Sequence, residues 1–191
     1  MKDMASPAEQ LRDLMTADEL LRLHLPNKST ELVRGRLIVR EPPSTYHGIL
    51  QSNLNAMVAT FVRANRLGVV MGQDTGFHIE SNPDTVRAPD LAFVTRERAS
   101  QIGRRGYAFL APDLVAEILS PGDRPGEVLA KIADWLDSGV RLVWVIDPDR
   151  REARVHRLDG SITLIDASGS LDGEDVIPGL ACALAELFEE R

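Results

Sequence analysis

Residues 114–146 decide the fold: Leu114-Val115-Ala116-Glu117-Ile118-Leu119, a stretch from Ser120 to Gly139, then Val140-Arg141-Leu142-Val143-Trp144-Val145-Ile146. The two outer runs are nearly continuous in apolar residues, the pattern of strands covered on both faces of a sheet. Between them Val128, Leu129, Ile132, Trp135 and Leu136 fall at offsets 0, 1, 4, 7 and 8, which is one stripe of a helix over about 125–138. Gly139 fits that helix's stop. Strand, helix and strand in 33 residues are the size of a parallel crossover.

Upstream, Leu50, Leu54, Met57, Val58, Phe61 and Val62 form a second stripe at period 3.6, predicting a helix over 45–66 with Gly68 as its stop. Thr16-x-x-Glu19 is a capping-box pattern, and Ser6-Pro7 is a cap followed by proline at the first helical position. Glu31 to Arg40 reads as a hairpin pivoting near Gly35, with Pro42-Pro43 as a break. Short β-type runs follow at 69–71, 76–80 and 86–94, with Ser81-Asn82-Pro83-Asp84 as a turn. Strands at 152–158 and 161–166 meet at Asp159-Gly160, and Pro178 to Arg191 reads as a short helix. The expectation is one α/β domain over 1–191, with residues 1–15 flexible.

Of the 191 residues, 22 are Lys or Arg and 29 Asp or Glu, a net charge of −7. The excess is confined to the ends, because residues 32–171 carry seventeen bases and seventeen acids. Sixteen of those seventeen bases are arginine, and Lys131 is the exception. The longest apolar run, Leu180 to Ala185, is six residues, far short of the ~20 that cross a bilayer. No basic segment leads into an apolar one, so no export signal is expected. A lone Cys182 excludes a disulfide framework and suits a reducing cytoplasm. The four histidines lack zinc spacing, and no phosphate-binding glycine loop or Gly-x-Ser-x-Gly elbow occurs.

Three features carry chemistry. Pro89-Asp90 interrupts an apolar strand, where proline implies an edge or bulge that re-aims the next side chain. Glu117 puts a carboxylate inside a buried strand, costing several kcal/mol unless a cation, metal or proton compensates. Lys131 borders the buried stripe of the crossover helix. If the strand ends near Ser120, Glu117 lies ~10 Å back along it. The helix brings Lys131 back by a similar ~10 Å, so the two side chains stand level. Each also has a plain structural reading: a turn residue for Asp90, a buried salt bridge for Glu117, and an i,i+4 partner of Glu127 for Lys131.

Pro89-Asp90 and Glu117, within Pro112-Asp113-Leu114-Val115-Ala116-Glu117-Ile118-Leu119-Ser120-Pro121, resemble the PD-(D/E)XK nuclease superfamily. The chain more closely resembles the Uma-two family of restriction-endonuclease-like proteins, through Lys131-x-x-x-Trp135-x-x-x-Gly139-Val140 and Trp144-Val145-Ile146-Asp147-Pro148. Glu31-Leu32-Val33-x-Gly35-Arg36-Leu37, Pro42-Pro43 and His47 match as well. Glu117-Ile118-Leu119 departs from the plain Glu-x-Lys motif. The family places its lysine on the next helix, at Lys131, and more often has tyrosine where Trp135 stands.

The resemblance implies a restriction-endonuclease-like mixed sheet with flanking helices, and a metal-dependent endonuclease acting on DNA. Asp90, Glu117 and the Ile118 backbone carbonyl would bind Mg²⁺ or Mn²⁺, with Lys131 assisting the attack of water. Glu31 and His47 are candidates beside them, as a further carboxylate and a phosphate or water contact. Ser120 is read as the cap of the 125–138 helix. Arg96, Arg98, Arg104 and Arg105 of the polar loop 95–107 are candidate DNA contacts, with Arg150, Arg151, Arg154 and Arg157 as a second cluster. A homodimer with no membrane association is expected. The alternatives are a nuclease-fold binding module without catalysis and a phosphoesterase acting on small nucleotides.

Overall fold

The computed structural model describes residues 14–189. In chain order its elements are α1 (Ala17–Arg22), β1 (Ser29–Val33), β2 (Arg36–Arg40), α2 (Thr45–Asn65), β3 (Gly68–Gly72), β4 (Phe77–Glu80), β5 (Thr85–Arg87) and β6 (Leu91–Thr95). A 3₁₀ turn over Ala99–Gln101 interrupts the next loop. There follow β7 (Leu114–Ile118), α3 (Pro125–Asp137), β8 (Leu142–Asp147), β9 (Glu152–Arg157), β10 (Ile162–Ile165), β11 (Ser170–Asp172), β12 (Ala181–Ala183) and α4 (Leu184–Leu187).

A six-stranded mixed sheet runs β10-β9-β8-β7-β6-β3, and a four-stranded sheet runs β2-β1-β5-β4. β7 and β8 pair in parallel, Leu114 opposite Leu142 through Ile118 opposite Ile146, so α3 is the crossover the sequence predicts. The other pairs of the larger sheet are antiparallel.

Strand periodicity explains why both faces are covered. Leu91, Phe93, Leu114 and Ala116 point to one face, where they meet Leu50, Leu54, Val58 and Val62 of α2. Ala92, Val94, Val115, Val143 and Val145 point to the other, against Ile132 and Trp135 of α3. Met57 and Phe61, on the shoulder of the α2 stripe, are half-buried against the first cluster. Each fully buried aliphatic side chain contributes about 1.5–3 kcal/mol, and α2 adds four such residues to the first cluster.

Local signals behave as expected in several places. Thr16 and Glu19 form a reciprocal capping box on α1. Gly35 turns the β1–β2 hairpin at φ +75°, and Gly160 turns β9 into β10. The Ser6-Pro7 cap lies outside the described residues.

Four expectations are corrected. The 86–94 run is two strands in two sheets, because Pro89 lacks the N–H a ladder needs and the chain changes sheet there. α2 ends on Arg66 in the left-handed region (φ 54°), not on Gly68. Gly68 instead opens β3 against β6, where a Cβ would lie 2.2 Å from the Val94 carbonyl oxygen. The predicted C-terminal helix begins as β12, because Gly179 at φ +82° turns the chain back along β11. Only Leu184–Leu187 is helical. Finally, Ser120 does not cap α3. The cap position is Arg124, and Ser120 instead donates its N–H to Asp123.

Candidate active site

The change of sheet at Pro89 positions the first carboxylate. In the β6–β7 ladder Leu91 faces Ala116, so Asp90 stands opposite Glu117 on the same face. Asp90 Oδ2 accepts the Ile118 N–H at 2.7 Å, which ties the two strands together beyond the last ladder pair. Both carboxylates lie in the wall of a cleft of about 460 Å³, between the β1–β2 hairpin and the loop from β7 to α3.

Glu117 is 9% exposed and has a donor on each oxygen. Lys131 Nζ donates to Oε2 at 2.8 Å and Trp135 Nε1 to Oε1 at 2.8 Å, both from α3. Burial pushes the Glu117 carboxyl up to about 7; Lys131 opposes this, whereas the negative charges of Asp90 and Glu31 add to it. The Lys131 ammonium, although burial disfavours its charge, is held well above its usual range by Glu117 and Glu31. Lys131 is therefore not an i,i+4 partner of Glu127, whose carboxylate faces Arg124.

Glu31 comes to the same place from β1, but it is turned to cations rather than to open cleft. Its Oε2 accepts from Arg87 Nη1 at 2.8 Å, and its Oε1 takes the Ala88 N–H at 2.9 Å and lies 3.1 Å from Lys131 Nζ. Burial would raise its carboxyl, but Lys131, Arg87 and the Ala88 N–H outweigh it and hold Glu31 down at about 2. His47, in the first turn of α2, donates from Nε2 to the Ile118 carbonyl at 3.0 Å and lies 3.4 Å from Asp90 Oδ2. Burial disfavours its charged form, yet the Asp90 carboxylate raises it overall. Gln51 donates to the Asp90 backbone carbonyl at 3.2 Å.

The structure thus gathers Asp90, Glu117, Ile118, Lys131, Glu31 and His47 around one cleft. It does not bring the arginine loop there. Arg98 is spent on Asp113 at 2.7 Å and on the Ala111 carbonyl, and Arg96, Arg104 and Arg105 are exposed away from the cleft lining. In the second cluster Arg154 and Arg150 face Glu152, Arg157 pairs with Glu174, and Arg151 lies over the Phe188 ring. The arginine in the cleft wall is Arg40, whose Nη1 donates to Asp123 at 3.2 Å. Sequence reading missed Arg40, Arg87, Asp123 and Asp134. Arg87 alone carried a signal, as a charge in the strand run Thr85-Val86-Arg87.

The donor chemistry suits a hard divalent cation. Asp90 Oδ1 has no hydrogen-bond partner among the described residues, each Glu117 oxygen keeps a lone pair beyond its one donor, and Ile118 offers a carbonyl. Among the described residues no three Asp, Glu, His or Cys side chains form a ready cage. Two carboxylates and a carbonyl, with waters completing the shell, match Mg²⁺, which keeps several of its waters. The cleft wall holds seven carboxylate side chains against Arg40, Lys131 and His47, a surplus of negative charge that a cation would offset.

The family model Uma2, described as "Putative restriction endonuclease", matches residues 17–185. The chain belongs to this family. A solved structure with the same fold as this Uma2 chain is titled a putative nuclease belonging to DUF820 from Anabaena variabilis. The two are 24% identical, the match covers 91% of this chain and 97% of that one, and the TM-score is 0.77. No curated protein matches this Uma2 chain. Among its described residues no helix is long and apolar enough to cross a membrane.

Proposed function

We propose that this protein is a metal-dependent endonuclease that hydrolyses phosphodiester bonds of DNA at the cleft between the β1–β2 hairpin and the β7–α3 loop. One observation carries the reading: Asp90 and Glu117 face each other across adjacent strands with the Lys131 ammonium on Glu117. Family membership supports the reaction class.

Asp90, Glu117 and the Ile118 carbonyl would hold Mg²⁺ or Mn²⁺. When bound, such an ion supplies Lewis acidity to the phosphate and makes a water more acidic. The protein's own groups do the rest. Lys131 brings a fixed positive charge to the oxygens where negative charge develops, and lysine does this as a compact point charge. His47 orients the end of β7 by binding the Ile118 carbonyl and stands ready beside Asp90 to contact water or phosphate. Trp135 fixes the Glu117 rotamer from behind.

Plasmid cleavage with Mg²⁺ or Mn²⁺ tests this, comparing the wild type with Asp90→Ala and Glu117→Ala and adding a chelator. Loss of nicking in both variants and with chelator is expected. Equal activity in all three proteins would trace the cleavage to a contaminant and remove the proposal.

A further inference from the structure

The ion pairs continue past the cleft. The Lys131 ammonium has three N–H donors and three acceptors around it: Glu117 Oε2 at 2.8 Å, Glu31 Oε1 at 3.1 Å and the Ala88 carbonyl at 3.2 Å. Two of these contacts are hydrogen bonds and the one to Glu31 is an ion pair, so the ammonium is held from three sides and its position is set by whatever sets those acceptors. Glu117 is fixed by its strand. The other two lead back to Arg87.

Arg87 Nη1 donates to Glu31 Oε2 at 2.8 Å. The next residue, Ala88, gives its N–H to Glu31 and its carbonyl to Lys131. Arg87 is held in turn by Asp134, with Nη2 at 2.6 Å and Nε at 3.1 Å from the same carboxylate oxygen. Asp134 lies three residues after Lys131 on α3, so one helical turn anchors both ends of the set. Lys131, Glu31, Arg87 and Asp134 therefore close a ring that locks α3 to β1 and β5. Glu31, Arg87 and Asp134 are each under 9% exposed, and neither Arg87 nor Asp134 lines the cleft.

We propose that Arg87 and Asp134 are positioning residues, which hold Glu31 and through it place the Lys131 ammonium against Glu117. The guanidinium is needed for its shape as well as its charge. Its fork serves Glu31 and Asp134 at once, whereas a lysine offers one point of charge on a flexible stem. Arg87→Lys keeps the charge and loses the ring.

The chain has only three lysines, at 2, 28 and 131, so ¹⁵N-lysine labelling gives a readable ammonium spectrum of the full-length protein. The wild type is expected to show one slowly exchanging ammonium signal, assigned by its disappearance in Lys131→Met. Arg87→Lys, whose added ammonium is told apart by its persistence in Arg87→Lys/Lys131→Met, and the nearly isosteric Asp134→Asn are expected to lose that signal while the amide spectrum stays folded. Because the activity arm rests on the nuclease reading, cleavage is measured alongside. There kcat is expected to fall about 10- to 100-fold with KM unchanged, as for residues that orient a ligand from behind. Should Arg87→Lys fail to fold, Asp134→Asn decides. A protected Lys131 signal that survives in the folded variants, or that is missing from the wild type, overturns the proposal whether or not the protein cuts DNA. Absence of cleavage by the wild type, with the signal lost in the variants, overturns the nuclease reading alone.

Discussion

Glu117 and Lys131 meet at 2.8 Å across fourteen residues of chain, one on a strand and the other on the helix that leaves it. Both sit in the same crossover, and the ammonium is held from outside it as well, by Glu31 of β1 and the Ala88 carbonyl.

Removing the cation should therefore cost more than removing the pair. Lys131→Met leaves Glu117 and Glu31 without the ammonium they share, and an uncompensated buried charge costs about 3–5 kcal/mol. The double variant Glu117→Gln/Lys131→Met should regain part of that stability and none of the cleavage. Urea unfolding of the two single variants, the double variant and the wild type measures the coupling. Simple additivity would show that the contact carries little energy.

Acid stability should follow Glu31. Its carboxyl is held at about 2 against an ordinary value of 4.5. A group depressed in the folded state stabilises above its unfolded value and loses that contribution as pH falls through its folded one. The two values are more than two units apart at 1.36 kcal/mol each, so the loss between about pH 4.5 and 2 is on the order of 3 kcal/mol. Glu31→Gln should be less stable than the wild type at pH 7 and converge on it near pH 2. A gap independent of pH over that window would show that Glu31 acts through packing.

Metal should stabilise the fold through Asp90. A cation that binds only the folded state adds about 2.7 kcal/mol at a hundred times its Kd. Thermal melts in rising Mg²⁺ or Mn²⁺ should shift upward for the wild type, and Asp90→Asn should abolish the shift. A matching shift in both proteins would place the ion elsewhere.

The crossover was legible in the sequence because two apolar strands and a 3.6-period stripe each state their own geometry. Lys131 was found for a related reason: strand rise and helix rise are fixed, so Glu117 and Lys131 could be set level without knowing the rest of the fold. Arg87 and Asp134 were not found. Their contacts join β5 to α3 across 47 residues, and no local period records such a pairing. The 86–94 run misled because its apolar pattern continues through Pro89 while its hydrogen bonding does not. The arginine loop misled in the other direction, since charge density is visible in a sequence and the acid that neutralises Arg98 is eighteen residues past the start of the loop, at Asp113.

That correction moves the expected DNA contact. Arg40 is in the cleft wall and holds Asp123 through Nη1; its Nε is buried, and its Nη2 has no partner among the described residues and is left for a ligand, whereas Arg96, Arg104 and Arg105 do not line the cleft. A side chain on a phosphate changes affinity and its salt dependence before it changes the chemical step. Arg40→Ala should raise KM for cleavage, leave kcat nearly intact and lower the slope of log affinity against log salt by about 1. Replacing Arg96, Arg104 and Arg105 together by alanine should leave KM and that slope where they are. Binding isotherms at several salt concentrations, with non-cleaving Glu117→Gln as the background, separate the two sets. A slope lowered by the triple variant and untouched by Arg40→Ala would return the DNA path to the loop over 95–107.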